Sequence, residues 1–121
     1  MGFYALNLFD LAENDSYLRY SRRSPAAVAK HNGRVVALGL LDEALEKDPE
    51  VEPRTVMILV EWASRESFRS FLDDPELEDL HPLREDGTRN YLWWTYESLD
   101  DLRPLFAAGG RWGRFPRRGR F

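Results

Sequence analysis

Within the first hundred residues, stretches with strand character and stretches with helical character alternate as strand, helix, strand, strand, helix, strand. The first strand is predicted over Phe3–Phe9, rich in aromatic and aliphatic side chains. Asn14 or Asp15 caps a helix running toward His31. Ser24-Pro25 interrupts that helix, with Ser24 as the cap of a second segment. Asn32-Gly33 suits its end, since both residues tolerate the left-handed conformation. The second strand is predicted over residues 34–45, with Gly39 marking a bulge or a close backbone approach. An acidic, proline-containing loop at 46–53 leads to the third strand at 54–62.

Ser64 caps the second helix, where Phe68, Phe71 and Leu72 fall at i, i+3 and i+4. Asp74-Pro75 opens a further short helix whose inner face carries Leu77, Leu80 and His81, with Pro82 as its stop. Asp86-Gly87 forms a turn before the fourth strand, Tyr91–Tyr96. Leu99, Leu102 and Phe106 suit a short closing helix. This order defines a ferredoxin-like α+β fold, an antiparallel sheet with both helices on one face. The domain is expected to span 1–106, followed by a Gly/Arg/aromatic arm at 107–121.

The strands carry apolar residues on both faces. In the third, Val56, Ile58, Val60 and Trp62 share one face, and Met57 and Leu59 the other. An antiparallel sheet with one wet side alternates apolar and polar residues, and this one does not. Two helices cover only one side, so the expected cover for the other is a second copy of the chain, giving a homodimer through the sheet face.

Composition narrows the chemistry. Cysteine is absent, which excludes disulfides and thiolate catalysis and makes a reducing cytoplasm the expected compartment. No apolar run reaches membrane-span length, and the N-terminus lacks a signal-peptide layout. The net charge of −4 is uneven: residues 111–121 hold five arginines and no acid, so the preceding body is strongly acidic. Such a body repels nucleic acid and anionic membranes. The arm interleaves arginine with aromatics, a composition suited to single-stranded nucleic acid. Docking of the arm on the acidic body or on a neighbouring subunit is the preferred expectation.

Tyr17-Leu18-Arg19-Tyr20, the run Pro25–Lys30, Asn32-Gly33-Arg34, the run Phe71–Leu77, and Leu83-Arg84 together resemble the domain-of-unknown-function family "thirteen-thirty", within the dimeric α+β barrel superfamily. The resemblance covers roughly residues 3–98 and excludes the arm. It implies a ferredoxin-like fold dimerising through its sheets. The wider superfamily includes cofactor-free antibiotic-biosynthesis monooxygenases, haem-degrading monooxygenases, lactone isomerases and ligand-sensing domains. Haem-degrading members carry an Asn in the first strand, a Trp in the second helix and an axial His. Asn7 and His81 match two of these, whereas Phe71 stands where the Trp would be and Pro82 directly follows His81.

Each candidate residue has a functional and a structural reading. His81 suits a general base or a haem ligand, or a helix-end histidine bonded to a carbonyl, Asp79 or Glu85. Asn7, polar on an apolar strand, either orients a substrate oxygen or bonds to a neighbouring strand or the dimer mate. Trp62, Phe68, Phe71 and Trp93 are core aromatics or the walls of a pocket for a flat ligand. Arg84 either clamps a carboxylate or caps the preceding helix. His31 is read as a helix-end cation, and the acid pairs as caps and turns. No paired-ligand spacing marks a metal site, and no phosphate loop, dinucleotide fingerprint or Ser–His–Asp pattern is present.

The expected function is therefore that of a dimeric small-molecule-binding protein, most simply a cofactor-independent monooxygenase or isomerase acting on a hydrophobic or aromatic metabolite. Asn7 and His81 are its expected catalytic residues; Trp62, Phe68, Phe71, Arg84 and Trp93 are expected to bind substrate. A haem-binding protein and a non-catalytic sensing or structural dimer are the alternatives. A void of ~300 Å³ or more beside Asn7 and His81 would mark a ligand site.

Overall fold

The computed structural model describes residues 2–106. Its first strand, β1 (Phe3–Leu11), leads into α1 (Ser16–Lys30), followed by β2 (Gly33–Leu40) and β3 (Val56–Trp62). Then come α2 (Arg65–Asp73), a 3-10 turn (Pro75–Leu77), α3 (His81–Asp86) and β4 (Thr88–Glu97). A second 3-10 turn covers Arg103–Phe106. The four strands form one antiparallel sheet in the order β2-β3-β1-β4, which is the ferredoxin-like topology.

β1 separates the two faces by simple alternation. Phe3, Ala5, Asn7 and Phe9 are buried, while Tyr4, Leu6 and Leu8 are half-buried. Register extends the buried face across the sheet: Ala5 opposes Val60, and Asn7 stands between Ile58 and Trp93. Tyr20, Ala27 and Val28 of α1 and Phe68 and Phe71 of α2 pack onto this face with Leu77 and Leu80. The opposite face presents Tyr4, Leu6, Leu8, Met57, Leu59, Leu92, Trp94 and Tyr96; Trp94 and Tyr96 are 44% and 49% exposed. No helix covers it among the described residues.

Several local expectations are corrected. Ser24-Pro25 does not divide α1, which runs unbroken through Pro25. Proline there removes only the hydrogen bond to the Ser21 carbonyl, and the buried stripe of Tyr20, Ala27 and Val28 carries the helix past it. Pro82 does not stop a helix; it sits in the first turn of α3, where a missing N–H costs nothing. β2 ends at Leu40 rather than Leu45, which is 85% exposed, because β3 begins only at Val56 and offers no partner beyond it. The irregularity in β2 falls between Val35 and Ala37, not at Gly39. The closing helix shrinks to one turn, with Leu99, Leu102 and Phe106 exposed.

The caps at Ser64 and Asp74 form as expected: Ser64 Oγ accepts from Ser67 N at 3.0 Å, and Asp74 Oδ1 from Glu76 N at 2.9 Å. The arm at 107–121 lies outside the described residues. No helix among the described residues is long and apolar enough to cross a membrane.

Candidate functional site

A cavity of about 500 Å³ opens between the buried face of the sheet and α1. Its floor comes from β1 and β3, through Ala5, Asn7, Ile58, Val60 and Trp62. Tyr91 and Trp93 of β4 and Phe71 of α2 close one end. Tyr17, Tyr20, Ser21, Ser24, Pro25 and Val28 of α1 face them, and Val35 and Leu38 of edge strand β2 complete the wall. The break in register between Val35 and Ala37 brings both Val35 and Leu38 to this side, although three positions separate them.

Asn7 is the polar point of the floor, and it is buried. Its Nδ2 donates to the Ile58 carbonyl at 3.2 Å, and its Oδ1 accepts from the Tyr91 hydroxyl. Cross-strand placement makes this pair possible, since Tyr91 lies one same-face position from Trp93, the direct neighbour of Asn7. Around it the rings pack in a chain: Phe9 stacks on Tyr91 at 5.3 Å, Phe9 meets Tyr17 at 5.0 Å, and Tyr17 meets Tyr20 at 5.3 Å. Burial raises the pKa of Tyr17 and of Tyr91 above the ordinary phenol value, so both keep their protons and act as donors. Among the described residues, no histidine, lysine or carboxylate lines the cavity.

His81 does not reach this space. It packs edge-on against Phe71, with ring centroids 5.3 Å apart, and Phe71 is the residue that faces the cavity. Its Nδ1 lies 2.9 Å from Arg84 NH1, which can only donate, so the imidazole is neutral with its proton on Nε2. Burial, reinforced by the Arg84 charge, lowers its pKa below the usual histidine value. This geometry does not fit an axial haem ligand: Nδ1 is engaged, Nε2 is buried, and Phe71 bars the way to the cavity.

Arg84 itself is buried, its guanidinium carbon 4.4 Å from the Trp93 ring centroid and 5.7 Å from that of Tyr20. It does not line the cavity but stands directly behind Trp93. Phe68 likewise buttresses Trp62 and Trp93 from outside, at 5.4 and 5.5 Å. Of the expected residues, then, the structure brings Asn7, Trp62, Phe71 and Trp93 to the cavity and holds His81, Arg84 and Phe68 one layer back. His31 bonds to Ser70 Oγ at 2.7 Å and to Asp74 Oδ2 at 2.8 Å, tying α1 to the end of α2. No cluster of three or more potential metal ligands occurs among the described residues.

The sheet order, the helices on one face and the cavity between them define an α+β protein of ferredoxin-like fold. The family model described as "Domain of unknown function (DUF1330)" matches residues 2–94, and the chain belongs to that family. No match was found among the curated proteins. Among solved structures, a protein of unknown function from Rhodopseudomonas palustris, RPA0582, is similar at 21% identity and a TM-score of 0.69, over 83% of this chain and 84% of that one. SnoaB, a cofactor-independent oxygenase from Streptomyces nogalater, is similar at 16% identity and a TM-score of 0.59, over 84% of this chain and 97% of that one. A dimeric ferredoxin-like protein of unknown function from Jannaschia sp. CCS1 has 10% identity and a TM-score of 0.57, over 81% of this chain and all of that one. At these identities the likeness concerns the fold.

Proposed function

We propose that this protein is a homodimeric small-molecule-binding protein whose cavity takes a flat hydrophobic or aromatic metabolite and supports cofactor-independent oxygenation or isomerisation of it. The observation that carries this reading is the cavity of about 500 Å³, aromatic-walled, with the hydrogen-bonded pair Asn7 and Tyr91 in its lining. Asn7 and the phenols of Tyr91 and Tyr17 would hold a ligand oxygen, and the surrounding rings would exclude water. In such chemistry the electrons come from the substrate, as an enolate or phenolate. His81 has no part in this reading, since it stands behind Phe71.

The open sheet face supports the dimer. A standard interface of ~1,600 Å² at ~25 cal/mol per Å² gives a gross apolar term well above the cost of association. The Jannaschia protein is described as dimeric, which supports a dimer.

Thermal unfolding measured with a panel of planar aromatics, alongside oxygen uptake, tests the reading. Stabilisation that disappears when Ser24→Trp plugs the cavity mouth is the expected result. A panel that leaves the midpoint unmoved would overturn it. The absence of a titrating base among the lining residues favours a second reading, a ligand-sensing dimer; stabilisation with no turnover is its signature.

A further inference from the structure

The helix layer stops short of one corner of the sheet. Leu38 opposes Ile58 and Leu40 opposes Val56; Ile58 in turn opposes Asn7, and Val56 opposes Phe9. Paired residues share a face, so all four belong to the side on which α1 and α2 pack. Leu38 and Leu40 are nevertheless 71% and 77% exposed, and the two pairs line an open groove of about 350 Å³. The groove begins at Leu38 and Ile58, which also line the cavity, and runs to the end of the strand pair at Leu40 and Val56. A dimer through the opposite face of the sheet would not cover it.

The loop that leaves this corner combines apolar and acidic side chains. Leu41 N donates to the Thr55 carbonyl at 2.7 Å, which holds the root of the loop beside Leu40. Leu41, Leu45 and Val51 are exposed. Residues 42–52 carry six acids against the single base Lys47. Asp42, Glu43, Glu46, Glu50 and Glu52 are exposed, and none of them forms an ion pair among the described residues. An exposed apolar patch marks a contact surface. The acids beside it favour a cationic occupant and repel nucleic acid, anionic lipid and a second copy of the same corner.

The chain carries the matching segment. Residues 107–121 interleave five arginines with Trp112, Phe115 and Phe121 and contain no acid. Gly33, Trp62, Phe3 and Glu97 stand in one row across the sheet, so β4 ends three strand spacings from β2, and Leu40 lies seven residues along β2 from that row. These offsets are about 14 Å and about 23 Å, a diagonal of about 27 Å. Fifteen extended residues span about 50 Å, so residues 107–121 have length to spare.

We propose that the segment 107–121 docks on this corner of its own subunit, with its aromatic rings on Leu38, Leu40 and Val56 and its arginines against the acids of the 42–52 loop. The contact covers the apolar groove that the helices leave open and offsets the charge of the loop.

The test uses the full chain. The sequence contains no cysteine, so Gly119→Cys provides a single attachment point for a nitroxide. The backbone amide signals of residues 38–52 should broaden while the nitroxide is paramagnetic and recover when it is reduced. Glu43→Lys combined with Glu46→Lys should remove most of that broadening, and so should about 1 M salt. Broadening at the corner that survives both changes overturns the pairing of arginines with the loop. Sharp signals at the corner overturn the docking outright, and salt-dependent binding of short single-stranded DNA to the same protein would then assign the segment to nucleic acid. A mixture of isotope-labelled chains without the nitroxide and nitroxide-bearing chains without the isotope reports contacts between copies. Broadening in that mixture as strong as in the doubly labelled chain moves the segment to a neighbouring subunit and overturns docking within the chain.

Discussion

Gly87 packs against the backbone of Tyr17 so closely that a Cβ added to it would stand 2.4 Å from the Tyr17 amide nitrogen. The end of α3 and the first turn of α1 are thereby clamped together. Ser16 Oγ donates to Asp86 Oδ2 at 2.5 Å, and Ala12 N to the Gly87 carbonyl at 3.0 Å. Gly87→Ala meets backbone rather than a movable side chain, so it should cost about 1–3 kcal/mol of stability. Because Tyr17 lines the cavity, ligand binding should weaken in the same variant. Chemical denaturation paired with ligand titration measures both effects.

Tyr91→Phe removes the donor that satisfies Asn7 Oδ1 while keeping the ring stacked on Phe9. An unpartnered acceptor in that buried floor should lower stability by about 1–3 kcal/mol. Ligands that carry an oxygen should lose more affinity than plain hydrocarbons of the same shape, which a paired titration will show.

The same phenols predict alkaline behaviour. Burial raises the pKa of Tyr17 and Tyr91 above the ordinary value of 10.0. Above that pH the unfolded chain releases protons that the folded chain retains, so stability is intact below about pH 10 and declines as pH rises further. Thermal melts across that range should show the decline, and Tyr91→Phe should make it shallower.

Asp74 predicts the acid side. Its carboxylate accepts from Lys30 Nζ at 2.7 Å, His31 Nε2 at 2.8 Å and, through Oδ1, the Glu76 amide at 2.9 Å. The Lys30 bond first, then those to His31 and Glu76, hold its pKa well below the ordinary value of 3.8. The stabilisation is therefore present above pH 3.8 and is lost as pH falls toward the depressed value. Asp74→Asn should lower the melting temperature at neutral pH, and the gap to the unaltered protein should narrow in strong acid.

Trp94 stands on the open sheet face opposite Leu6, 44% exposed. Trp94→Glu should convert the proposed dimer to a monomer in sedimentation, with the cavity still able to bind. A monomeric unaltered protein at micromolar concentration would remove the dimer from the account.

The fold was legible because alternation and capping are local signals. Ser64 and Asp74 announced their helices, and the two-sided apolar strands announced a layer with two faces to cover. The site was only partly legible. Asn7, Trp62, Phe71 and Trp93 stood out as types, and strand alternation put Asn7 and Trp62 on inward faces. Tyr91 as the partner of Asn7 depends on cross-strand register, which composition does not carry. His81 was expected at the cavity because helix periodicity gives a direction but no depth, and Phe71 occupies the layer in between. The wall formed by Val35 and Leu38 follows from a backbone irregularity that leaves no mark in residue type.

That irregularity has a consequence for traffic. Val35 and Leu38 are 44% and 71% exposed, and with Ser21, Ser24 and Pro25 they frame a doorway along the rim of the layer, beside the outermost strand. In the proposed dimer through the far side of the sheet, this entrance would stay open, and each chamber would fill and empty independently of its twin.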